Sequence, residues 1–213
     1  LDASGDPIPM MYKEQFQFQG GDARYADINF DGVIDLNDVV NLGDSNPEFY
    51  GGFGTSARYK FIRFNVNFNY RVGYEIVNEL AMSTQGMNGY NNQSTAVLHR
   101  WRRQGHDEEG MLPRAYLSHP ANNLGSDRYV EPGDYLRLNN LSITFRVPNA
   151  FSKRMGFETL EAGINLRKIY TLTRYTGQDV EINMNASNPF WFGTDRGYSP
   201  TPKVYSFNIR GRF

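Results

Sequence analysis

From Phe61 to Val72 the chain alternates in polarity. Phe64, Val66, Phe68, Tyr70 and Val72 fall on one side, and Asn65, Asn67, Asn69 and Arg71 on the other. Side chains alternate across a strand, so this segment predicts a strand with one apolar and one strongly polar face. The pattern recurs. At the C-terminus Tyr205, Phe207, Ile209 and Phe213 oppose Ser206, Asn208, Arg210 and Arg212. Leu141, Ile143, Phe145 and Val147 oppose Asn140, Ser142, Thr144 and Arg146, while Leu160, Ala162, Ile164 and Leu166 oppose Glu161, Asn165 and Arg167. Phe49, Phe53, Ala57 and Tyr59 oppose Gly52, Gly54, Ser56 and Arg58. The reading is five antiparallel strands near 49–59, 61–73, 134–147, 158–174 and 202–213, forming one contiguous stretch of sheet.

A soluble β-sandwich with a wet polar face accounts for this alternation equally well. Connection lengths separate the two readings. Tyr59–Lys60–Phe61 is a tight turn and 148–157 is short, whereas 73–133 and 175–201 are long. Short turns at one end and long loops at the other characterise outer-membrane barrels. Tyr59, Phe61, Tyr70, Tyr74, Tyr135 and Tyr170 stand near strand ends, where interfacial aromatic girdles would sit. Five strands cannot close a barrel, since the smallest has about eight, and an open sheet leaves bare edges and an apolar patch. The predicted fold class is therefore all-β, an antiparallel transmembrane β-barrel segment with long extracellular loops. It divides into a loop region over 1–48 and barrel strands over 49–213.

Composition agrees. Aromatics make up 15% of the chain, yet mean hydropathy is −0.59. Barrel strands score as hydrophilic on average because they alternate. No run of about 18 apolar residues exists to make a transmembrane helix. A net charge of −1 offers no basic footprint for nucleic acid. The absence of cysteine excludes disulfides, thiolate metal sites and a cysteine nucleophile. Leu1 follows no initiator Met or signal-peptide pattern, which reads as a piece of something longer. One helix is predicted in the first long loop, from Ser94 as cap to Gln104. Val97, Leu98 and Trp101 would lie on one side, with Arg100, Arg102 and Arg103 on its solvated face.

The sharpest chemical motif runs from Asp27 to Asp38. Asp27, Asn29, Asp31, Asp35 and Asp38 place oxygen donors at loop positions 1, 3, 5, 9 and 12, with Gly32 at 6 and the Val33 carbonyl at 7. Calcium takes six to eight hard oxygens, and the glycine permits the sharp turn around the ion. A structural Ca2+ is expected there, in an EF-hand-like loop without flanking helices and with the shorter Asp38 replacing the usual glutamate. The alternative is an Asx-rich turn closed by its own hydrogen bonds. No enzyme is expected. His99, His106 and His119 lack zinc spacing, the Glu108–Glu109 pair sits in a charged loop, and no phosphate loop or nucleophile constellation is present.

Several stretches, in order, resemble SusC/RagA-type TonB-dependent outer-membrane transporters. Gly21-Asp22-Ala23-Arg24-Tyr25-Ala26-Asp27 with the Asp-rich loop resembles the family's GDxxYxDxNxDGxIDxxD segment. Asn46-Pro47-Glu48-Phe49 with Gly52-Phe53 and Tyr59-Lys60-Phe61, and Arg100-Trp101, resemble its next elements. Ser126 to Leu141 is similar to SSRFVEDGSYLRLKNL, and Thr173-Arg174-Tyr175-Thr176-Gly177 to TKYKG. Gln178-Asp179-Val180-Glu181 departs from the family's continuation, YDPE. Pro200-Thr201-Pro202-Lys203 leads into the last strand as YPxPR does, and Phe213 resembles the terminal aromatic read by the outer-membrane assembly machinery. The resemblance implies a plugged barrel of about 22 strands with a periplasmic C-terminus in the outer membrane of a Bacteroidota-like bacterium. It implies import of oligosaccharides or peptides, energised by TonB through an N-terminal part, under a SusD-like surface lipoprotein. Partners would be the remainder of the barrel, its plug and outer-membrane lipid. The competing reading is a secreted calcium-stabilised β-sandwich that binds carbohydrate.

Overall fold

A computed structural model describes residues 10–13, 16–105, 111–181 and 193–213. His106, the Glu108–Glu109 pair and the middle of the 175–201 loop lie outside the described residues. The long strands are β1 (Phe49–Tyr59), β2 (Ile62–Val72), β3 (Tyr135–Arg146), β4 (Thr159–Thr173) and β5 (Val204–Arg212). Each lies within two residues of its expected bounds. They form a five-stranded sheet in the order β5–β4–β3–β2–β1, antiparallel throughout. Consecutive strands are neighbours, as a meander requires. Among the described residues, β1 and β5 each pair on one side only.

The turns differ in build. Lys60 takes φ +49 between the paired Tyr59 and Ile62, closing a two-residue hairpin. The 148–157 connection contains a short helix, α2 (Asn149–Arg154), that the sequence reading missed. Its amphipathic signal is less than two turns long, too brief for a periodicity argument.

Register keeps the faces apart. Asn65, Asn67 and Asn69 pair across β1 with Ser56, Gly54 and Gly52, and across β3 with Ser142, Asn140 and Arg137. On the other face Phe68 stacks on Phe53 with centroids 5.1 Å apart, and Val66 faces Thr55 and Leu141. The alternation of β3 changes phase between Leu138 and Asn140, and the ladder shifts there against both neighbours. On β4 the extra residues lie between Arg167 and Tyr170, with Lys168 at φ +52. A bulge inserts residues into one strand and re-aims side chains, so Leu138, opposite Phe68, and Leu141, opposite Val66, keep the same face across the phase break.

Contacts divide the chain into two compact units, 1–43 with 77–130, and 44–76 with 131–213. The first unit holds the Asp-rich loop, the short helix α1 (Glu79–Gln85) and several loop-locking contacts. Its apolar cluster is Met87, Val97 and Leu112. His119 stacks on Phe16 at 4.3 Å with Tyr12 and Tyr116 edge-on. Asp22 accepts from the Arg114 guanidinium at 2.5 Å and 2.9 Å and from Asn122 at 2.8 Å. Gly21, at φ +87, is the residue type its place demands: a Cβ would collide with the Trp101 indole. The expected helix from Ser94 to Gln104 is a single 3-10 turn, Thr95–His99. Ser94 does cap it, accepting the Ala96 amide. The chain then leaves extended because Arg100 and Trp101 bridge to Leu112, with Trp101 N–H to the Leu112 carbonyl at 2.8 Å. A β-bridge with a distant segment outcompetes a marginal helix of this length.

Candidate functional site

The second unit has its core on the polar face of the sheet. Tyr74, Ile76, Tyr135, Tyr175 and Val180 form one buried cluster, in which segment 175–181 folds back over the start of β3. Tyr135 lies in register with Arg71 and Tyr70 with Leu136, so Tyr135 belongs to the polar side. The girdle expectation therefore divides. Tyr59 and Tyr170 remain exposed, at 69% and 61%, whereas Tyr74 and Tyr135 are buried under the returning loop. Position near a strand end fixes neither the face nor what covers it.

Beneath that cluster sits a charge node. Arg137, 3% exposed, pairs with Asp179 and donates to Glu181 at 2.6 Å, while its Nε donates to Thr171 at 2.9 Å. Glu181 also accepts from the Tyr135 hydroxyl at 2.8 Å, from Asn69 at 3.1 Å and from Lys168 at 3.3 Å. Asp179 also accepts the Thr201 amide and hydroxyl. The fork of a guanidinium suits two carboxylates at once, and burial of a charge is tolerable only when it is paired in this way. The bulge that turns Lys168 toward the polar side supplies the second cation. Both ends of the last long loop, at 179–181 and at 201, are thereby tied to the polar wall.

Burial opposes ionisation of Asp179, but Arg137, Thr201 and the Glu181 amide overcome it and hold the carboxyl at about 2. Glu181 is likewise held low: burial raises it, and Tyr135, Arg137 and Lys168 lower it further. A carboxylate depressed in the folded state contributes stability above its ordinary value and loses it as pH falls through the folded one. Amides of 175–181 are thus expected to keep their exchange protection down to pH 3.8 and lose it toward pH 2, as read by hydrogen exchange across that window. Protection unchanged between those values would show that the node does not hold the loop.

The Asp-rich loop keeps its carboxylates on its own backbone. Asp27 accepts the amides of Phe30 at 2.7 Å and Gly32 at 2.8 Å, and Asp31 accepts that of Val33 at 2.8 Å. Asn29 accepts the Asp31 amide, and Asp35 accepts that of Asn37. Asp38 accepts from Asp35 and Ile28, and these bonds hold its carboxyl below the usual range. Gly32 has φ +82, the left-handed turn the motif requires. Among the described residues no three acidic, His or Cys side chains come together in an arrangement that would hold a metal ion. The donor chemistry nevertheless suits a hard cation, because a carboxylate oxygen that accepts one amide retains a second lone-pair site.

The apolar face of the sheet is open. Phe207 is 79% and Ile209 80% exposed, and Phe53, Ile143, Phe145, Ile164 and Leu172 are exposed as well. A contiguous apolar surface of this kind marks an interaction surface, with protein or with a membrane.

No family model matches the chain. TonB-dependent receptor P3 of Formosa agariphila is 29% identical over 191 residues, or 89% of this chain. TonB-dependent receptor P26 of the same organism is 30% identical over the whole chain. The chain spans about a fifth of the length of these curated relatives, 18% and 21%. Structures of the RagAB peptide importer in its open-open and closed-closed states superpose with TM-scores of 0.60 and 0.62 at 24% and 23% identity. They cover 79% and 78% of this chain, which corresponds to 17% of theirs. The alternating strands, their consecutive antiparallel order and these likenesses agree: the chain is a SusC/RagA-like segment, homologous to TonB-dependent receptors and folded as part of a RagA-type barrel.

Proposed function

We propose that this chain is part of the wall of an outer-membrane importer for oligosaccharides or peptides, energised through TonB by a part of the protein outside this chain. The observation that carries the reading is the sheet itself. Its apolar face is uncovered, its opposite face carries Asn, Arg and a buried charge node, and among the described residues both edge strands lack an outer partner. Lipid on one face, an interior on the other and further strands at both edges meet all three demands together. A sandwich needs a second sheet over Phe207 and Ile209, and among the described residues there is none. The relatives named as receptors and importers support the same reading.

In this proposal the C-terminus is periplasmic, so the 59–61 and 148–157 turns face the periplasm. The 73–133 and 175–201 loops and the Asp-rich loop then face outward, where a SusD-like lipoprotein would sit as lid. In cells producing the full-length protein, externally added protease is expected to cut within 73–133 while the barrel stays assembled. Cleavage only after the outer membrane is opened would reverse the orientation, and recovery of the protein in the soluble fraction would overturn the whole assignment.

The Asp-rich loop is proposed to bind a structural calcium ion through Asp27, Asn29, Asp31, Asp35, Asp38 and the Val33 carbonyl. Chelation is expected to speed proteolytic cleavage within 27–38 in the full-length protein and to leave the barrel intact. Asp31→Ala should cleave rapidly with or without calcium. Equal cleavage rates of the unaltered loop in calcium and in chelator would rule the ion out.

A further inference from the structure

The 148–157 connection takes no part in the charge node or the Asp-rich loop, yet its surface pairs two features that water does not favour together. In α2 Ser152 is fully buried, at 0%, while Phe151 and Met155 are 59% and 61% exposed. Met155 closes the helix and donates its amide to the Phe151 carbonyl at 3.3 Å, so the two apolar side chains stand one turn apart on the same side. Lys153 and Arg154, between them, are exposed and among the described residues form no ion pair. Glu158, just past the connection, is drawn instead to Arg212 at 3.4 Å.

The connection rejoins the sheet on its apolar side. Gly211 lies two residues after Ile209 on β5 and shares its face. A Cβ on Gly211 would fall 2.6 Å from the Phe157 ring, which fills that place and packs on Phe213 with centroids 4.8 Å apart. The neighbouring hairpin repeats the combination of ring and cation. Tyr59, 69% exposed, begins the apolar row that runs through Ile62, Phe145 and Ala162 to Ile209. The Lys60 ammonium lies 5.2 Å from the centre of the Tyr59 ring.

Exposed apolar side chains beside unpaired cations match a partner that is apolar at one depth and anionic at the next, as a lipid leaflet is. We infer that the 148–157 connection is a lipid anchor. Phe151 and Met155 seat beneath the headgroups of the leaflet at this end of the barrel, and Lys153 and Arg154 bind the phosphates of anionic phospholipids there. The inference rests on the barrel reading above, which lays the apolar face against hydrocarbon. Continuity carries it: Phe157 and Phe213 extend that face from Ile209 to the connection, so a membrane that covers the one reaches the other. Charge complementarity names the lipid. Each Lys or Arg near an anionic surface favours binding about fivefold, whereas interfacial aromatics alone are indifferent to headgroup charge.

The test uses the full-length protein reconstituted in vesicles that carry a photoreactive phospholipid, with its reactive group high on the acyl chain. Labelled positions are read by mass spectrometry of the digested protein. A phosphatidylglycerol probe is expected to label 151–157 several-fold more than a phosphatidylcholine probe. Lys153→Gln with Arg154→Gln should bring phosphatidylglycerol labelling down to the phosphatidylcholine level, and Lys153→Arg with Arg154→Lys should keep the preference. Equal labelling of the unaltered protein by the two probes overturns the anchor, and so does a preference that survives the Gln pair. Should the Gln pair fail to insert, the comparison of probes on the unaltered protein still decides. In cells, a photo-cross-linking amino acid at Met155 that captures protein and no lipid also overturns it. A probe reactive at its chain end serves as the reference, because it should label β5 around Phe207 and Ile209. If β5 is labelled and 151–157 is not, the anchor alone falls; if lipid labels neither, the anchor and the barrel reading fall together.

Discussion

Arg137→Leu is expected to free the 175–181 segment from the wall while leaving the five-stranded ladder in place. Among the described residues, the substitution removes the only guanidinium that reaches both Asp179 and Glu181, whose side chains are 5% and 16% exposed. Breaking a buried ion pair from one side costs about 3–5 kcal/mol, because the abandoned charge stays buried. Lys168 can still hold Glu181, at 3.3 Å, but nothing replaces Arg137 at Asp179. The loop has an inexpensive escape into water, whereas β3 is held by backbone bonds to β2 and β4 that the side chain does not make. The loss should therefore appear as local opening. Amide exchange over 175–181 should rise on the order of a hundredfold or more, with barrel assembly unchanged. Arg137→Lys should recover only part of the protection, since an ammonium cannot fork to two carboxylates. Unchanged exchange in Arg137→Leu would mean that the Tyr74–Val180 cluster alone holds the loop.

Phe68→Arg and Asn67→Arg are expected to differ sharply although they are neighbours on β2. Phe68 lies on the apolar face against Phe53 and in register with Leu138, and Asn67 lies on the polar face opposite Gly54 and Asn140. In a barrel the first substitution puts a guanidinium at mid-height on the lipid side, at a cost of about 2–4 kcal/mol. The second adds one more cation to a face that already carries arginines. Assembled, heat-modifiable protein should fall steeply for Phe68→Arg and stay near normal for Asn67→Arg. A soluble sheet demands a different outcome, with Phe68 packed inside and Asn67 in water, and the full-length protein would then remain in the soluble fraction. Equal tolerance of both changes in the membrane fraction would sink the assignment of faces.

The strands were legible residue by residue because each carries its own period-two pattern, and a pattern of that period specifies both element and face. Even the phase change between Leu138 and Leu141 is written in the sequence, although its resolution as a bulge at Lys168 is not. The first long loop was read less well. Ser94 signalled a helix start, but the turn lasts only to His99 because Leu112, far along the chain, claims the backbone of Arg100 and Trp101. The Asp-rich loop was visible from its spacing. That its carboxylates accept its own amides follows from the shortness of Asp and Asn side chains.

Sequence by itself determined the five strands, which side of each is apolar, and the left-handed glycine of the Asp-rich loop. These depend on neighbours within a few residues, so local chemistry is enough to specify them. Only the tertiary structure decided that Arg137, Asp179 and Glu181 meet, that Tyr74 and Tyr135 leave the aromatic rim for a buried cluster, and that Arg58 and Arg63 come directly opposite each other at the other end of the same face. Those outcomes depend on which strands become neighbours and on where a loop of unremarkable composition returns. Alternation orders side chains across one strand, whereas charge balance is settled between segments far apart in the chain, after the sheet has brought them within reach.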